Sequence, residues 1–241
     1  MDLSRVHLVL VRTRNPQNLG AAARAMKGCG LTRLTLVAPV TDEWVTARRI
    51  AVHADDLLAA PRTVGTLAEA LGEASWVVGT SSRHLEGRRR LTPKELAEEA
   101  ALRSHEGEVA LVFGDEESGL SNADLLACDA LSCIPAALDQ PSFNLAQAVV
   151  LYAYELFQRS TRVEERAIPE APPAVRQDYA RLEESLRRLL EESRFSDVDR
   201  PRHGVKELVA SLRRGELSAA EAKLWLAALQ AALREVIAKR R

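Results

Sequence analysis

Arg12-Thr13-Arg14-Asn15-Pro16-Gln17-Asn18-Leu19-Gly20 joins an apolar run to an alanine-rich one, and Arg24 follows a few residues later. Two guanidinium groups beside a helix start, whose first N–H groups are free, suit an anion such as phosphate. The same residues also read as a capped helix with a solvated arginine, and residue types alone leave both readings open. The junction contains neither G-x-G-x-x-G nor G-K-[ST], so a Rossmann-type dinucleotide enzyme and a P-loop NTPase lose support. Three further loops are rich in small and polar residues. They are Gly79-Thr80-Ser81-Ser82-Arg83, Gly114-Asp115-Glu116-Glu117-Ser118-Gly119-Leu120, and a stretch from Pro135 that ends in Ser142-Phe143-Asn144. Loops of this kind can hold an adenosine-type ligand through backbone N–H and C=O groups, although each taken alone is also an ordinary glycine turn. Cys29, Cys128 and Cys133 show no C-x-x-C spacing, and the five histidines never pair at i, i+4, so no zinc site is expected.

Positioning such loops requires elements that end at a common edge. Short apolar runs recur at Val6–Val11, Leu34–Ala38, Trp76–Gly79, Val109–Phe113 and Ala130–Ile134. They are continuous rather than alternating, as in parallel strands covered on both faces. Helical patterns lie between them: Gln17–Cys29, Thr66–Leu71, Pro93–Leu102 capped by Thr92, Ser121–Ala127 and Phe143–Arg159. This alternation predicts a doubly wound α/β domain over residues 1–160, with its site beyond the C-terminal strand ends. Residues 161–174 contain Ile168-Pro169-Glu170-Ala171-Pro172-Pro173 and read as a stiff connector. Residues 175–241 form a small helical extension with patterns at Ala174–Glu192, Val205–Arg213 and Ser218–Lys239, the last opened by a Ser218…Glu221 capping box. A unit this small is expected to dock or dimerise.

The 241 residues are 46% hydrophobic and 28% charged, a composition that excludes disorder along the whole chain. No apolar run approaches the ~18 residues of a membrane span, and the first residues lack a signal-peptide layout, so the expected location is the cytoplasm. Residues 1–160 carry four more acidic than basic side chains, whereas 161–241 carry three more basic than acidic ones. The tail is therefore the part better suited to a polyanion.

Taken together, three segments carry a resemblance. Asn18-Leu19-Gly20-Ala21-Ala22-Ala23-Arg24-Ala25-Met26, then Leu111-Val112-Phe113-Gly114-Asp115-Glu116-Glu117-Ser118-Gly119-Leu120, then Ile134-Pro135 with Ser142-Phe143-Asn144-Leu145-Ala146-Gln147-Ala148 stand in the order and spacing of one family. The chain resembles the SPOUT (SpoU/TrmH-type) superfamily of S-adenosylmethionine-dependent RNA ribose 2′-O-methyltransferases across residues 5–158. Val78-Gly79-Thr80-Ser81-Ser82-Arg83 and the tail resemble the TrmJ-type subgroup, which methylates nucleotide 32 of the tRNA anticodon loop.

The resemblance implies a C-terminal trefoil knot threaded by residues 135–158, a homodimer with the site at the subunit interface, and S-adenosyl-L-methionine as methyl donor with no metal. It implies that Arg24 is catalytic, positioning the substrate phosphate and stabilising a developing alkoxide, with Asn18 orienting it and Ser142 near the transferred group. It places the donor against Thr80, Ser81, Ser82, Gly114, Ile134, Ser142, Phe143 and Asn144; Phe143 stands where many relatives carry Leu. Glu117 matches the acidic position of the second motif, either touching ligand or fixing its own loop. Arg12, Arg14, Arg83 and Arg88, the last within the basic run Arg88-Arg89-Arg90, are expected phosphate contacts. Arg200, Arg202, Arg213, Arg214, Lys239, Arg240 and Arg241 of the tail either grip tRNA or form an exposed helix face. The alternatives are action on rRNA or another tRNA position, and a catalytically silent RNA-binding protein of the same fold.

Overall fold

The computed structural model describes residues 1–83, 85–137, 139, 142–160, 172–193 and 201–239. These fall into two compact units, Met1–Ile168 and Pro169–Arg241.

In the first unit the strands are β1 (Val6–Val11), β2 (Arg33–Val37), β3 (Arg62–Val64), β4 (Ala74–Thr80), β5 (Arg89–Leu91), β6 (Glu108–Phe113) and β7 (Ala130–Ser132). They form one sheet in the order β3-β2-β1-β6-β4-β7-β5, and every pairing is parallel. The helices are α1 (Pro16–Gly28), α2 (Trp44–Ile50), α3 (Asp56–Ala59), α4 (Leu67–Leu71), α5 (Pro93–Arg103), α6 (Asn122–Leu126) and α7 (Leu145–Ser160).

All six residues of β1 are buried, because both faces of the sheet are covered. Val6, Leu8 and Leu10 pack with Leu19, Met26, Leu96, Val149 and Leu156 from α1, α5 and α7. Val9 and Val11 face the other way, toward Leu67 and Leu71 of α4 and Leu125 of α6. This two-sided burial explains why the central strands read as unbroken apolar runs. His7 interrupts the run and is buried; its Nε2 lies 2.7 Å from Thr35 Oγ1 on β2.

Two strands lie outside the five apolar runs of the sequence, and both are sheet edges. Arg62-Thr63-Val64 and Arg89-Arg90-Leu91 each pair on one side only, so neither needs two apolar faces. The short helices α2 and α3 also lack a sequence signal; α2 packs so closely on α1 that a Cβ on Gly20 would stand 2.2 Å from the Ala47 carbonyl oxygen. Helix starts follow their caps: Thr92 with Glu95 and Ser121 with Asp124 form reciprocal capping boxes.

The second unit contains α8 (Arg176–Ser193), α9 (Pro201–Arg214) and α10 (Ala219–Ala238). Ala174, Tyr179, Leu182, Val209 and Ala222 form its small core, and Ser218 with Glu221 caps α10. Most of the proline-rich connector, together with Phe195, Arg200, Arg240 and Arg241, lies outside the described residues, as do the side chain of Arg202 and, at the third loop, Leu138, Gln140 and Pro141.

Candidate active site

Neighbouring strands β1, β6, β4 and β7 end at one edge of the sheet. The loops that leave β4, β6 and β7 meet around a cleft of about 350 Å³. Thr80, Ser81, Ser82, Gly114, Ile134, Ser142, Phe143 and Asn144 all line it, so three loops far apart in sequence converge on one space.

The loop after β6 is shaped by its own side chains. Asp115 Oδ1 accepts the N–H groups of Glu117 (3.0 Å) and Ser118 (2.8 Å), and its Oδ2 accepts the Ser118 hydroxyl (2.7 Å). Burial raises the Asp115 pKa, but the Ser118 and Glu117 donors and Arg12 outweigh it, so the group titrates below its ordinary range. The loop then doubles back at Gly119, which has φ +67°, and passes close over Gly114. A Cβ on Gly114 would sit 2.1 Å from the Gly119 carbonyl carbon, so only glycine fits there.

Arg12 directly follows β1 at φ +55°, a conformation that costs a non-glycine residue energy. Its Nη2 donates to Asp124 Oδ2 (2.7 Å), and its Nε lies 3.7 Å from Asp115 Oδ2. Burial raises the Asp124 pKa, but Arg12 and the Ser121 donors outweigh it and hold the carboxylate low. Arg12 is thus engaged in clamping β1 to the loop after β6 and to α6.

Glu116 makes the second clamp. It accepts the backbone N–H of Arg14 (3.0 Å) and Asn15 (3.2 Å) and the Asn18 side-chain amide (3.1 Å). Asn18 Oδ1 in turn accepts from Asn144 Nδ2 (2.8 Å), and the Asn144 N–H donates to Gln147 Oε1 (3.2 Å). A chain of hydrogen bonds therefore links the loop after β6, the start of α1 and the start of α7. Adjacent carboxylates at 115, 116 and 117 look alike in sequence; only the path of the loop turns Glu116 toward α1 and leaves Glu117 largely exposed, 3.7 Å from the Arg14 Nε. Sequence reasoning singled out Glu117 and missed Glu116.

The other predicted residues divide. Arg83 lines the cleft, donating through Nη1 to Asn122 Oδ1 (3.0 Å) and through Nη2 to the Leu120 carbonyl. Arg88 donates to the Leu126 carbonyl (2.9 Å), Arg89 pairs with Glu99 (2.9 Å), and Arg90 donates to the Ser82 carbonyl (3.2 Å). The basic run is therefore bound to its own protein at three points and includes the edge strand β5, rather than extending as a loop. Asn18 reaches the cleft through Glu116 and Asn144. Arg24 stands exposed on α1 and does not line the cleft. In the tail, Lys239 pairs with Glu235 (2.7 Å) and Arg214 is exposed.

Chemically, the cleft has a hydroxyl-rich lining at Thr80, Ser81, Ser82, Ser118 and Ser142, with one side-chain amide at Asn144. Its floor is apolar, made by Phe113, Ile134, Leu145, Ala148 and Tyr152. That pairing suits a molecule with a flat apolar ring and several polar substituents, and the close backbone at Gly114 suits recognition by main-chain groups. Among the described residues no group of three or more His, Cys, Asp or Glu is placed to hold a metal ion.

Residues 5–154 match the SpoU rRNA Methylase family. The chain is 37% identical to the tRNA (cytidine/uridine/adenosine-2′-O-)-methyltransferase TrmJ of Pseudomonas aeruginosa (strain UCBPP-PA14), over 97% of this chain and 94% of that protein. It is similar to the crystal structure of TrmJ from Z. mobilis ZM4, with TM-score 0.78 and 30% identity over 93% of this chain and 97% of that one. It is also similar to an AdoMet-bound rRNA methyltransferase from Sinorhizobium meliloti, with TM-score 0.50 and 26% identity over 66% of this chain and 57% of that one. On the extent of the family match and of the identity to a relative along nearly its whole length, the chain belongs to the SpoU rRNA Methylase family.

Proposed function

We propose that this protein transfers a methyl group from S-adenosyl-L-methionine to the ribose 2′-OH of tRNA, at nucleotide 32 of the anticodon loop. The observation that carries this reading is the convergence on one cleft of eight residues that family resemblance assigns to the donor. The cleft's polar rim, apolar floor and glycine-only approach at Gly114 fit an adenosine-bearing donor. When bound, the donor supplies a methyl already activated on a sulfonium sulfur, so the protein's share of the work is positioning and charge stabilisation. Ser142 and Asn144 face the cleft and orient the reacting groups. Asn18, held between Glu116 and Asn144, fixes the start of the helix that carries Arg24. Arg24 holds the substrate phosphate and stabilises the developing alkoxide. Arg14 and Arg83 remain nucleic-acid contacts in this reading, and Arg12 and Arg88 act chiefly by holding the loops that present them.

Arg24 is exposed, and so is an apolar face of α7 formed by Val150, Leu151, Tyr154 and Phe157, as is Phe143 just before that helix. We assign that face to a second copy of the chain, which completes the site at a homodimer interface. Residues 1–160 form the catalytic domain, in which α7 packs against both α1 and α5; the threading of 135–158 as a knot rests on family resemblance alone. Residues 161–174 link it to a tRNA-binding extension over 175–241. No described helix is long and apolar enough to cross a membrane; a tRNA substrate places the work in the cytoplasm.

Methyl transfer onto unmodified tRNA transcripts, followed by mapping of 2′-O-methyl groups, tests the reading. A mark at nucleotide 32 is expected. Marks confined to rRNA or to another tRNA position would move the substrate, and absence of transfer with no donor binding would leave only an RNA-binding fold.

A further inference from the structure

The far end of the cleft is built on two buried hydroxyls that neither the sequence motifs nor the proposed chemistry uses. Tyr152, two turns into α7, is 1% exposed, and Ser132, the last residue of β7, is 0% exposed. Both line the cleft. The Tyr152 ring meets Phe113 edge-on, with centroids 5.6 Å apart and planes at 76°. Its hydroxyl donates to Ser132 Oγ (3.0 Å), and Ser132 Oγ donates to the Leu91 carbonyl on β5 (2.9 Å). The Ser132 carbonyl accepts the Ser81 N–H (2.9 Å). One residue therefore ties together the helix on one side of the cleft, the edge strand beneath it and the loop that forms its rim. Burial pushes the Tyr152 phenol far above its ordinary range, so it remains a donor throughout the working pH range.

We infer that Tyr152 and Ser132 are positioning residues for donor binding, a two-hydroxyl relay that sets the distance between the cleft floor and the Thr80–Ser82 rim. The relay rests on the methyltransferase reading above. Phenylalanine at 152 would fill the same space and pack on Phe113, so ring and hydroxyl can be separated. β5 has only three residues and a single sheet neighbour, and Leu91 O accepts both Ser132 Oγ and the Cys133 N–H (2.9 Å). Arg90, on the same strand, donates to the Ser82 carbonyl (3.2 Å). Loss of the relay thus loosens the rim from below as well as from the side.

The test is calorimetric binding of S-adenosylmethionine to the full chain, paired with thermal unfolding and steady-state kinetics. Tyr152→Phe is expected to weaken donor binding about fivefold, the worth of one net hydrogen bond. Ser132→Ala is expected to weaken it about tenfold or more, because it strands the buried phenol without an acceptor. The double variant should lose less than the product of the two single effects, since it removes both partners. The KM for the donor should rise with kcat unchanged, because neither hydroxyl touches the reacting atoms. Lowered thermal stability with donor affinity within twofold of the parent in Tyr152→Phe would reduce the pair to a packing feature and overturn the relay. If Ser132→Ala does not fold, Tyr152→Phe decides alone. A parent protein that binds no S-adenosylmethionine would overturn the methyltransferase reading and the relay together.

Discussion

Replacing Gly114 by alanine probes whether the cleft depends on one close backbone approach. The new Cβ would stand 2.1 Å from the Gly119 carbonyl carbon, 2.2 Å from Leu120 N and 2.5 Å from the Gly119 oxygen. All three are main-chain atoms, so no side chain can swing aside. Ordinary contact begins near 3.4 Å, which requires the 119–120 peptide to retreat by more than an ångström. The peptides on either side of it are tied down, one by Gly119 N–H to the Asp115 carbonyl (3.0 Å) and the other by Arg83 to the Leu120 carbonyl, and the Leu120 side chain is buried. Losing those two hydrogen bonds costs about 1 kcal/mol each, and overpacking adds about 1–3 kcal/mol. Because the same loop lines the cleft, part of this cost appears as unfolding and part as lost donor affinity. We expect the melting temperature to fall by about 5–10 °C in a chain of this size, and S-adenosylmethionine to bind at least about tenfold more weakly. Gly28→Ala, at a helical position where a Cβ meets nothing within 4 Å, is the control and should leave donor affinity unchanged without lowering the melting temperature. A Gly114→Ala protein with parental melting temperature and donor affinity within twofold would refute the close-approach argument.

Other perturbations report on separate parts of the molecule. Glu116→Gln presents an amide to three converging N–H donors, so turnover should drop about ten- to hundredfold in single-turnover methyl transfer; parental turnover would remove Glu116 from the positioning of α1. Arg24→Ala changes an exposed side chain, so folding and donor binding should persist while methyl transfer disappears, and an active variant would exclude Arg24 from the chemistry. His7 is held down from 6.5 to about 4, first by burial and then by Arg33. Above pH 6.5 the ring is neutral in both states. As pH falls toward 4 the unfolded chain takes up a proton that the native strand refuses, so stability is lost across that window, by about 2 kcal/mol between pH 7 and pH 5. Denaturant unfolding of the parent and His7→Gln at both pH values should show that difference only in the parent.

Burial on two faces is a property of local residue choice, which is why the five central strands and the long helices were legible as apolar runs and capped periodic segments. Thr92, Ser121 and Ser218 marked helix starts for the same local reason: each satisfies N–H groups within three residues of itself. The edge strands β3 and β5 were not legible, because a strand with one neighbour needs no apolar run of its own. Lining residues such as Ser142 and Gly114, and their place around one donor, could be named through family resemblance; which strand ends bring them to one cleft followed only from strand order.

What the chain alone determined, then, is which segments become strands and helices and which loops carry small polar groups, since those choices depend on neighbours a few residues away. Tertiary structure decided which of three adjacent carboxylates reaches α1, that Arg12 is bound to Asp124, and that Tyr152 meets Ser132. These pairs lie 20 to more than 100 residues apart. Their partners are chosen by sheet order and helix packing, and no local pattern encodes a contact whose second half arrives from another strand.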